Sequence, residues 1–261
     1  MGRLGLRLAT GSVLAFLYIP LVIIFLFAFN ADRGQSWPIR SYTVRWFGDA
    51  LANGDVREAL LLSVEAALGA TAIALLLGSL AALAVHRFRF FGRETISFAL
   101  VLPLALPGIV TGMALNATIN TAGIGFGLVT IIVGHATFCI VVVYNNILAR
   151  LRRTSSSIEE ASLDLGATTL QTFRYVTLPV LRTAILAGAL LAFALSFDEV
   201  IVTTFTAGTD ETLPIWILNH LRQPNQRPIV NVVAVAVIVL SAVPVYLSQR
   251  LSASDAGGLS G

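Results

Sequence analysis

Six stretches of the chain are apolar over the length needed to cross a lipid bilayer. A helix that spans about 30 Å of hydrocarbon needs roughly 20 residues. Because no water is available inside the hydrocarbon, every backbone polar group there must be hydrogen-bonded within the protein, and a helix achieves this on its own. The sequence therefore predicts an all-α integral membrane protein with six transmembrane helices, near 9–29, 59–85, 96–119, 124–148, 180–205 and 229–249.

The composition agrees with lipid as the solvent for much of the chain. Of the 261 residues, 56% are hydrophobic and 12% are charged, which is well below the charged fraction of a typical soluble domain. The net charge of +3 rests on 17 arginines without a lysine. These arginines do not form the basic, aromatic-rich run of a nucleic-acid-binding protein, so we expect membrane lipid and no nucleic acid among its partners.

The first apolar stretch has two interpretations. Arg3 and Arg7 precede it, as basic residues precede the core of a secretory signal peptide. The stretch is longer than a typical signal core, however, and no small-x-small cleavage site follows it. We therefore interpret it as a retained membrane anchor.

The distribution of arginine predicts the orientation, because cytoplasmic loops of membrane proteins are enriched in basic residues. With the N-terminus in the cytoplasm, eleven arginines lie inside and six outside. The inside loop 86–95 holds three of them, whereas the outside loop 120–123 holds none. The prediction is one membrane domain over 1–251 with both termini in the cytoplasm, followed by a disordered tail over 252–261.

Two outer segments are long enough to carry structure of their own. The segment 30–58 contains aromatic residues suited to a membrane surface and is expected to hold a short interfacial helix. The segment 206–228 contains Pro214, Pro224 and Pro228, which exclude one continuous helix there.

The third apolar stretch contains helix-breaking and small residues. Pro103 and Pro107 are expected to kink or break this span. Gly108 and Gly112 form a small-xxx-small pair, which lets another helix approach closely. Both features are typical of packed membrane bundles, and neither indicates a cargo.

His135 and Cys139 lie four residues apart in the fourth stretch and so share one helix face. Two ligands do not make a zinc site, and no other histidine or cysteine is near in sequence. We therefore predict a packed histidine and no metal.

The inside loop 150–179 is long for a connection between two spans and predicts two short helices. Ser157 with Glu160, and Thr168 with Gln171, each fit a capping box, in which side chains satisfy the first backbone donors of a helix.

Gly166 lies between the two short helices, where a residue in the left-handed conformation is expected. Pro179 suits the first turn of the fifth span. Ile158, Ala161 and Leu165 share one face of the first short helix and form an apolar stripe.

Three acidic residues, Glu159, Glu160 and Asp164, flank this stripe and keep the helix close to water. Two destinations for such a helix remain open from the residues alone. It can dock into the groove of a partner protein, or it can lie on the membrane surface.

The same loop resembles the EAA loop of ABC importer permeases. That family reads E-A-A, three residues, G, nine residues and I-x-L-P. This chain has the same spacing in Glu160-Ala161-Ser162, Gly166 and Val176-x-Leu178-Pro179. Nearly the whole chain fits the family, which implies the fold of type I importers. The resemblance also implies a loop that docks into a cytoplasmic ATPase, and with its acidic flanks we assign this coupling role to Glu159, Glu160, Ala161, Asp164, Gly166, Leu178 and Pro179.

The end of the fifth stretch is similar to the second permease subunit of spermidine/putrescine importers. Those proteins carry an F-D-[DE] element with L-P downstream, and this chain has Phe197-Asp198-Glu199 and Leu213-Pro214. The similarity implies a polyamine substrate. The same subfamily includes importers of other small amines, amino acids or metal complexes, so these remain alternatives.

Asp198, Glu199 and Glu65 are carboxylates at shallow membrane depth. A carboxylate there is costly and normally faces a cavity or a partner. One interpretation places the three acids, with Thr203, along the pathway of a cationic cargo. In the other, an acid pairs with an arginine of the partner permease or caps a broken helix. Asp198 is the strongest pathway candidate, because its neighbour Glu199 points elsewhere on the helix.

We therefore expect a permease subunit of a binding-protein-dependent ABC importer in the bacterial inner membrane. By the resemblance, its partners are a second, homologous permease, a cytoplasmic ABC ATPase dimer and an extracytoplasmic substrate-binding protein. The chain has no G-x-x-x-x-G-K-[ST] phosphate loop. We thus expect no enzymatic activity and no cofactor of its own, with ATP bound by the partner ATPase.

Two other classes of protein fit the sequence less well than the importer. A secondary transporter or channel subunit gives no reason for the loop 157–179. An intramembrane enzyme needs a nucleophile–base pair or a metal cluster, which the sequence does not offer.

Overall fold

In the computed structural model of the protein, residues 3–223 and 225–257 are described, and most of them are helical. A π-helical turn, Phe173–Thr177, joins two of the helices. The α-helices are, in chain order, α1 (Arg3–Ala28), α2 (Arg45–Ala52), α3 (Gly54–Arg87), α4 (Arg93–Ala105), α5 (Gly108–Thr121), α6 (Leu128–Arg153), α7 (Ser157–Asp164), α8 (Thr169–Thr172), α9 (Leu178–Phe197), α10 (Ile201–Thr206), α11 (Leu213–His220) and α12 (Arg227–Gly257).

Within the described residues, five helices are long and apolar enough to cross a membrane. They are α1, α3, α6, the continuous helix Thr169–Phe197 and the part Arg227–Leu251 of α12. The helices α4 and α5 pass the same test together, as a pair bent by 102°. With that pair counted as one broken span, the predicted all-α fold with six spans is confirmed.

The bend between α4 and α5 lies at Leu106 and Pro107. Pro107 immediately precedes α5, and a proline here cannot continue the helix before it, because it lacks an N–H and its ring clashes with the preceding turn. Leu106 is extended, with ψ 143°, as residues before proline usually are. Pro103 lies inside α4, so the predicted break occurs at the second proline.

The bent pair traverses the bundle instead of returning to the side from which it came. Ser97 of α4 accepts a hydrogen bond from Tyr144 of α6 at 3.0 Å. Leu115 of α5 lies 3.6 Å from the position that a Cβ of Gly134 would occupy. Those two places on α6 are ten residues apart, or roughly 15 Å along its axis.

The fifth span is broken, and the prediction of a continuous helix to residue 205 is wrong there. The helix α9 ends at Phe197, residues 198–200 are not helical, and α10 begins at Ile201. The stretch 180–205 is apolar enough overall to be predicted as one span, although two adjacent acids, Asp198 and Glu199, lie at this point. The contacts that satisfy the break are described below.

Contacts divide the chain into two compact units, Met1–Leu60 with Leu213–Leu240, and Leu61–Thr212 with Ser241–Gly261. The single membrane domain expected over 1–251 spans both. In the first unit, α2 is the short helix predicted within 30–58. There the indole of Trp46 donates a hydrogen bond to the carbonyl of Asn30 at 2.8 Å.

The core of the second unit forms where α3 and α9 pack against α6. Association of helices in lipid depends on van der Waals packing, which favours small residues at the contact. Gly78 of α3 provides such a contact, because a Cβ there would lie 2.9 Å from the carbonyl oxygen of Ile140. The buried side chains of this core include Ala70, Ala74, Ala82, Phe138, Val143, Tyr144, Ile147, Leu181 and Ala192.

The last helix is longer than expected. The tail from residue 252 is predicted to be disordered, whereas α12 runs to Gly257. The rest of that tail, residues 258–261, lies outside the described residues.

Replacement of Gly78 by alanine is expected to destabilise the protein. The added Cβ meets the backbone of α6, which cannot move aside like the end of a flexible side chain, and overpacking of this kind typically costs about 1–3 kcal/mol. Gly48→Ala in α2 is the matched control, since open space surrounds that position and alanine favours a helix. Thermal unfolding of the purified protein in detergent should show a lower midpoint for Gly78→Ala alone. Equal midpoints for the two variants would contradict the packing.

Candidate coupling loop and broken fifth span

The cap of α7 is Ser156, one residue earlier than the predicted cap. The Oγ of Ser155 accepts a hydrogen bond from the N–H of Ser157 at 3.3 Å. The capping box predicted for Ser157 and Glu160 is therefore wrong, because Ser157 is already inside the helix.

The end of α7 is a Schellman motif built on Gly166. This glycine has φ +88°, the left-handed conformation predicted for it. The N–H of Gly166 bonds to the carbonyl of Leu163 at 2.9 Å, and the N–H of Ala167 bonds to that of Ser162 at 3.2 Å. These two bonds satisfy carbonyls that the end of the helix leaves without partners, so the chain turns sharply after α7.

The second short helix, α8, has the predicted capping box. Gln171 accepts from the N–H of Thr168 at 2.7 Å, and Thr168 accepts from the N–H of Gln171 at 3.3 Å. This helix continues through the π-helical turn into α9, with Pro179 in the first turn of α9 as predicted. The loop therefore connects directly to the fifth span.

The apolar stripe of α7 is exposed. Ile158 is 50% and Leu165 90% accessible, and Ala161 is exposed beside them. Most of the other residues assigned to coupling share this exposure, namely Glu160, Asp164, Gly166, Leu178 and Pro179.

Glu159 faces the opposite way, toward its own chain. Its Oε2 lies 2.9 Å from the Nη2 of Arg87 at the end of α3. Its Oε1 accepts a hydrogen bond from the hydroxyl of Thr177 at 2.5 Å. Burial of the carboxylate acts to raise its pKa, but the hydrogen bonds from Thr177 and Arg87 outweigh it, so the pKa of Glu159 is lowered. The ion pair is therefore complete at neutral pH and is lost only as the pH falls below the ordinary range of glutamate.

The break of the fifth span exposes one acid and uses the other as a cap. Asp198 stands at the end of α9 with an exposed side chain. The Oε1 of Glu199 accepts a hydrogen bond from the N–H of Val202 at 2.9 Å, in the first turn of α10. Glu199 thus has the geometry of the helix-capping alternative, whereas Asp198 remains available to a cargo. Glu65 is also exposed, on α3.

Thr203 is fully buried in α10. Its hydroxyl donates to the carbonyl of Glu199 at 2.7 Å and lies 2.8 Å from the Nε2 of His135. Because the side chain is buried and its hydroxyl is hydrogen-bonded within the protein, Thr203 cannot contact cargo in this conformation. The predicted pathway role of Thr203 does not fit this position.

His135 is a packed histidine, as predicted, and it bridges the break. Its Nδ1 lies 2.8 Å from the Oγ of Ser196 in α9, and its Nε2 contacts Thr203 in α10. Because Thr203 donates its single hydroxyl proton to Glu199, a neutral imidazole must donate from Nε2 and accept at Nδ1. Cys139 is buried nearby.

The other end of α10 is held by side chains that sequence reasoning missed. The amide of Asn116 in α5 donates to the carbonyl of Phe205 at 2.7 Å. The hydroxyl of Thr130 in α6 donates to the carbonyl of Thr206 at 2.7 Å. Polar residues in apolar stretches were the available signal, but their partners are 76 or more positions away.

The small-xxx-small pair predicted in the third span faces α10. A Cβ on Gly112 would lie 2.5 Å from the ring of Phe205, and one on Gly108 would lie 3.6 Å from Ile201. The close helix approach expected of this pair is confirmed.

Comparison with known proteins places this fold and loop in one family. Residues 74–255 match the family described as "Binding-protein-dependent transport system inner membrane component". The chain belongs to this family. It is therefore a multi-pass protein of the bacterial inner membrane and a transport permease.

Curated relatives of this permease span nearly its full length. It is 36% identical over 255 residues, covering 97% of this chain and 98% of the relative, to the spermidine/putrescine transport system permease protein PotC of Haemophilus influenzae. It is also 36% identical over 237 residues, covering 87% and 83%, to the putrescine transport system permease protein PotI of Escherichia coli K12.

Two solved structures share the fold of this permease. One is a bacterial ABC transporter involved in the import of alginate, with a TM-score of 0.74, 15% identity and 95% coverage of both chains. The other is a bacterial alginate ABC transporter in complex with a pentasaccharide-bound periplasmic protein, with a TM-score of 0.65, 14% identity and coverage of 95% and 93%. At these identities the likeness concerns the fold alone.

Replacement of Gly166 by valine is expected to disable transport while leaving membrane insertion intact. A β-branched residue in the left-handed conformation is strained by roughly 1–3 kcal/mol, which disfavours the turn that orients α7. Gly166→Asn is the matched control, because asparagine adopts this conformation more readily. Uptake by proteoliposomes containing the whole transporter should fall for valine and be largely kept for asparagine. Wild-type uptake by Gly166→Val would contradict a role for this turn.

Proposed function

We propose that this permease imports polyamines and forms half of the translocation pathway, with α7 as the element that docks on a cytoplasmic ATPase. The observation that carries the docking is the exposed apolar stripe of α7, on a helix held in a fixed orientation by its Schellman end. The substrate assignment rests on the relatives named for spermidine and putrescine and on the exposed Asp198 at the break.

A protein groove suits the stripe better than the membrane surface does. Burial of a leucine as exposed as Leu165 contributes roughly 1.5–3 kcal/mol to the free energy of binding. The stripe therefore favours association with an apolar surface. Glu160 and Asp164 are exposed on the same short helix, and carboxylates are repelled by an anionic inner leaflet. A groove with basic residues at its rim satisfies both features.

ATP hydrolysis is assigned to the partner, because this chain has no phosphate loop. A second permease completes the pathway, and an extracytoplasmic binding protein delivers the cargo. The helix α1 has only 6% of its most apolar window buried within the chain, so lipid or another membrane subunit must cover it.

Polyamines match the chemistry of the break. Asp198 presents a carboxylate at the end of an apolar span, and an ammonium group can meet it through a charge-assisted hydrogen bond. Glu199 uses one oxygen to cap α10 and adds negative charge beside it. A binding protein selects the cargo, so the permease needs only a weak, transient attraction.

Replacement of Leu165 by serine is expected to weaken the complex with the ATPase. Loss of a leucine from a packed groove weakens binding by roughly tenfold or more. Leu51→Ser is the matched control, since Leu51 is 75% exposed on α2, which is predicted to lie on the opposite side of the membrane. Co-purification of the ATPase with each variant is the measurement. Undiminished co-purification with Leu165→Ser would exclude the stripe as the docking surface.

Replacement of Asp198 by asparagine is expected to reduce polyamine uptake by roughly two- to tenfold, because one charge-assisted hydrogen bond is lost. The ATPase should still co-purify, since α7 is unchanged. Asp55→Asn, at the exposed start of α3, is the control. Uptake of putrescine and spermidine into proteoliposomes with excess binding protein is measured. Unchanged uptake would exclude a role for Asp198 in cargo movement. A binding protein that does not bind polyamines would overturn the assignment of polyamines as the substrate.

A further inference from the structure

A cluster of three side chains ties the coupling loop to the second span. Arg87 is the last residue of α3, Glu159 lies in α7, and Thr177 ends the π-helical turn. The Nη2 of Arg87 lies 2.9 Å from Glu159 and donates to Thr177 at 3.2 Å. Thr177 in turn donates to Glu159 at 2.5 Å. Three separate elements therefore meet at one carboxylate.

The cluster is more shielded from solvent than an ordinary surface ion pair. The side chains of Arg87 and Glu159 are 26% and 30% exposed, and Thr177 is buried. The ion pair joins residues 72 positions apart. The pair between Arg45 and Asp49, by contrast, joins adjacent turns of one exposed helix at 3.7 Å. Exposed local pairs contribute little, whereas a shielded pair between separate elements constrains their relative position.

We propose that Arg87 is a positioning residue that transmits movement of α7 into α3 through Glu159 and Thr177. This inference rests on the proposed function, because it requires that an ATPase moves α7. The two neighbouring glutamates then have different tasks. Glu160 faces outward with the docking stripe, and Glu159 faces inward and carries the movement to the second span.

Movement of α3 would reach α6, because the two helices are closely packed. Gly78 of α3 lies directly against the backbone of α6, and Ala82 and Val85, in the turns before Arg87, belong to the same core. Close-packed interiors transmit displacement instead of absorbing it. A pull on the end of α3 is therefore passed to the helices of the pathway, including the part of α3 that carries Glu65.

Loss of the cluster is expected to uncouple the transporter. Without the ion pair, α7 can follow the ATPase while α3 stays in place. ATP hydrolysis then continues, but fewer cargo molecules cross per ATP. A merely structural residue would instead lower transport and hydrolysis together, so the ratio of the two rates separates these roles.

The test uses the whole transporter in proteoliposomes and measures polyamine uptake and ATP hydrolysis side by side. Arg87→Gln and Glu159→Gln should each lower the uptake per ATP by about fivefold or more, with the ATPase still bound. The exchange of the two charges, Arg87→Glu with Glu159→Arg, should regain a substantial part of the lost uptake. Arg89→Gln is the matched control, because Arg89 is exposed two residues after Arg87, in the loop that follows α3.

The possible outcomes separate this inference from the proposed function. If the wild-type permease does not bind the ATPase, or loses nothing with Leu165→Ser, the docking role of α7 fails. If docking holds but the single variants keep the wild-type uptake per ATP, the transmission role of Arg87 is overturned. If the single variants do not assemble, the charge exchange decides, since failure to restore coupled uptake overturns the role as well.

Discussion

A backbone polar group inside a bilayer has no water to bind, and the broken fifth span depends on how this constraint is met. At the start of α10, Glu199 accepts the free N–H of Val202. At its end, Asn116 and Thr130 donate to the free carbonyls of the last turn. His135 contacts both sides of the break. Side chains of the fifth span and of its neighbours therefore bond the backbone on both sides of α10, and the break holds an acid at the edge of an apolar span.

The same separation of roles appears in the loop between α6 and α9. The Schellman end at Gly166 fixes the direction of α7, so its apolar stripe faces outward while Glu159 faces the chain. One face of α7, which carries the apolar stripe, is exposed. The other face is bound to the end of α3 by the ion pair between Glu159 and Arg87. Such an arrangement suits an element that binds a moving partner and must pass that movement on.

The loop was more predictable from sequence than the break. Gly166, the capping box of Thr168 and the place of Pro179 depend on neighbours within a few residues, so their patterns predict their geometry. The cap at Ser157 failed because serines at 155, 156 and 157 compete for the same task, and propensity does not choose among them. The break at Asp198 was missed because most of the side chains that bond it, namely Asn116, Thr130 and His135, come from α5 and α6.

The sequence by itself determined the number of spans, the bend at Pro107, the turn at Gly166 and the membership in a permease family. These follow from hydrophobic length and local backbone chemistry. The tertiary structure alone decided that Thr203 is buried against His135 and that Glu159 pairs with Arg87. Each of these depends on side chains brought together from distant parts of the chain, and hydrogen-bond partners so far apart leave no local pattern in the sequence.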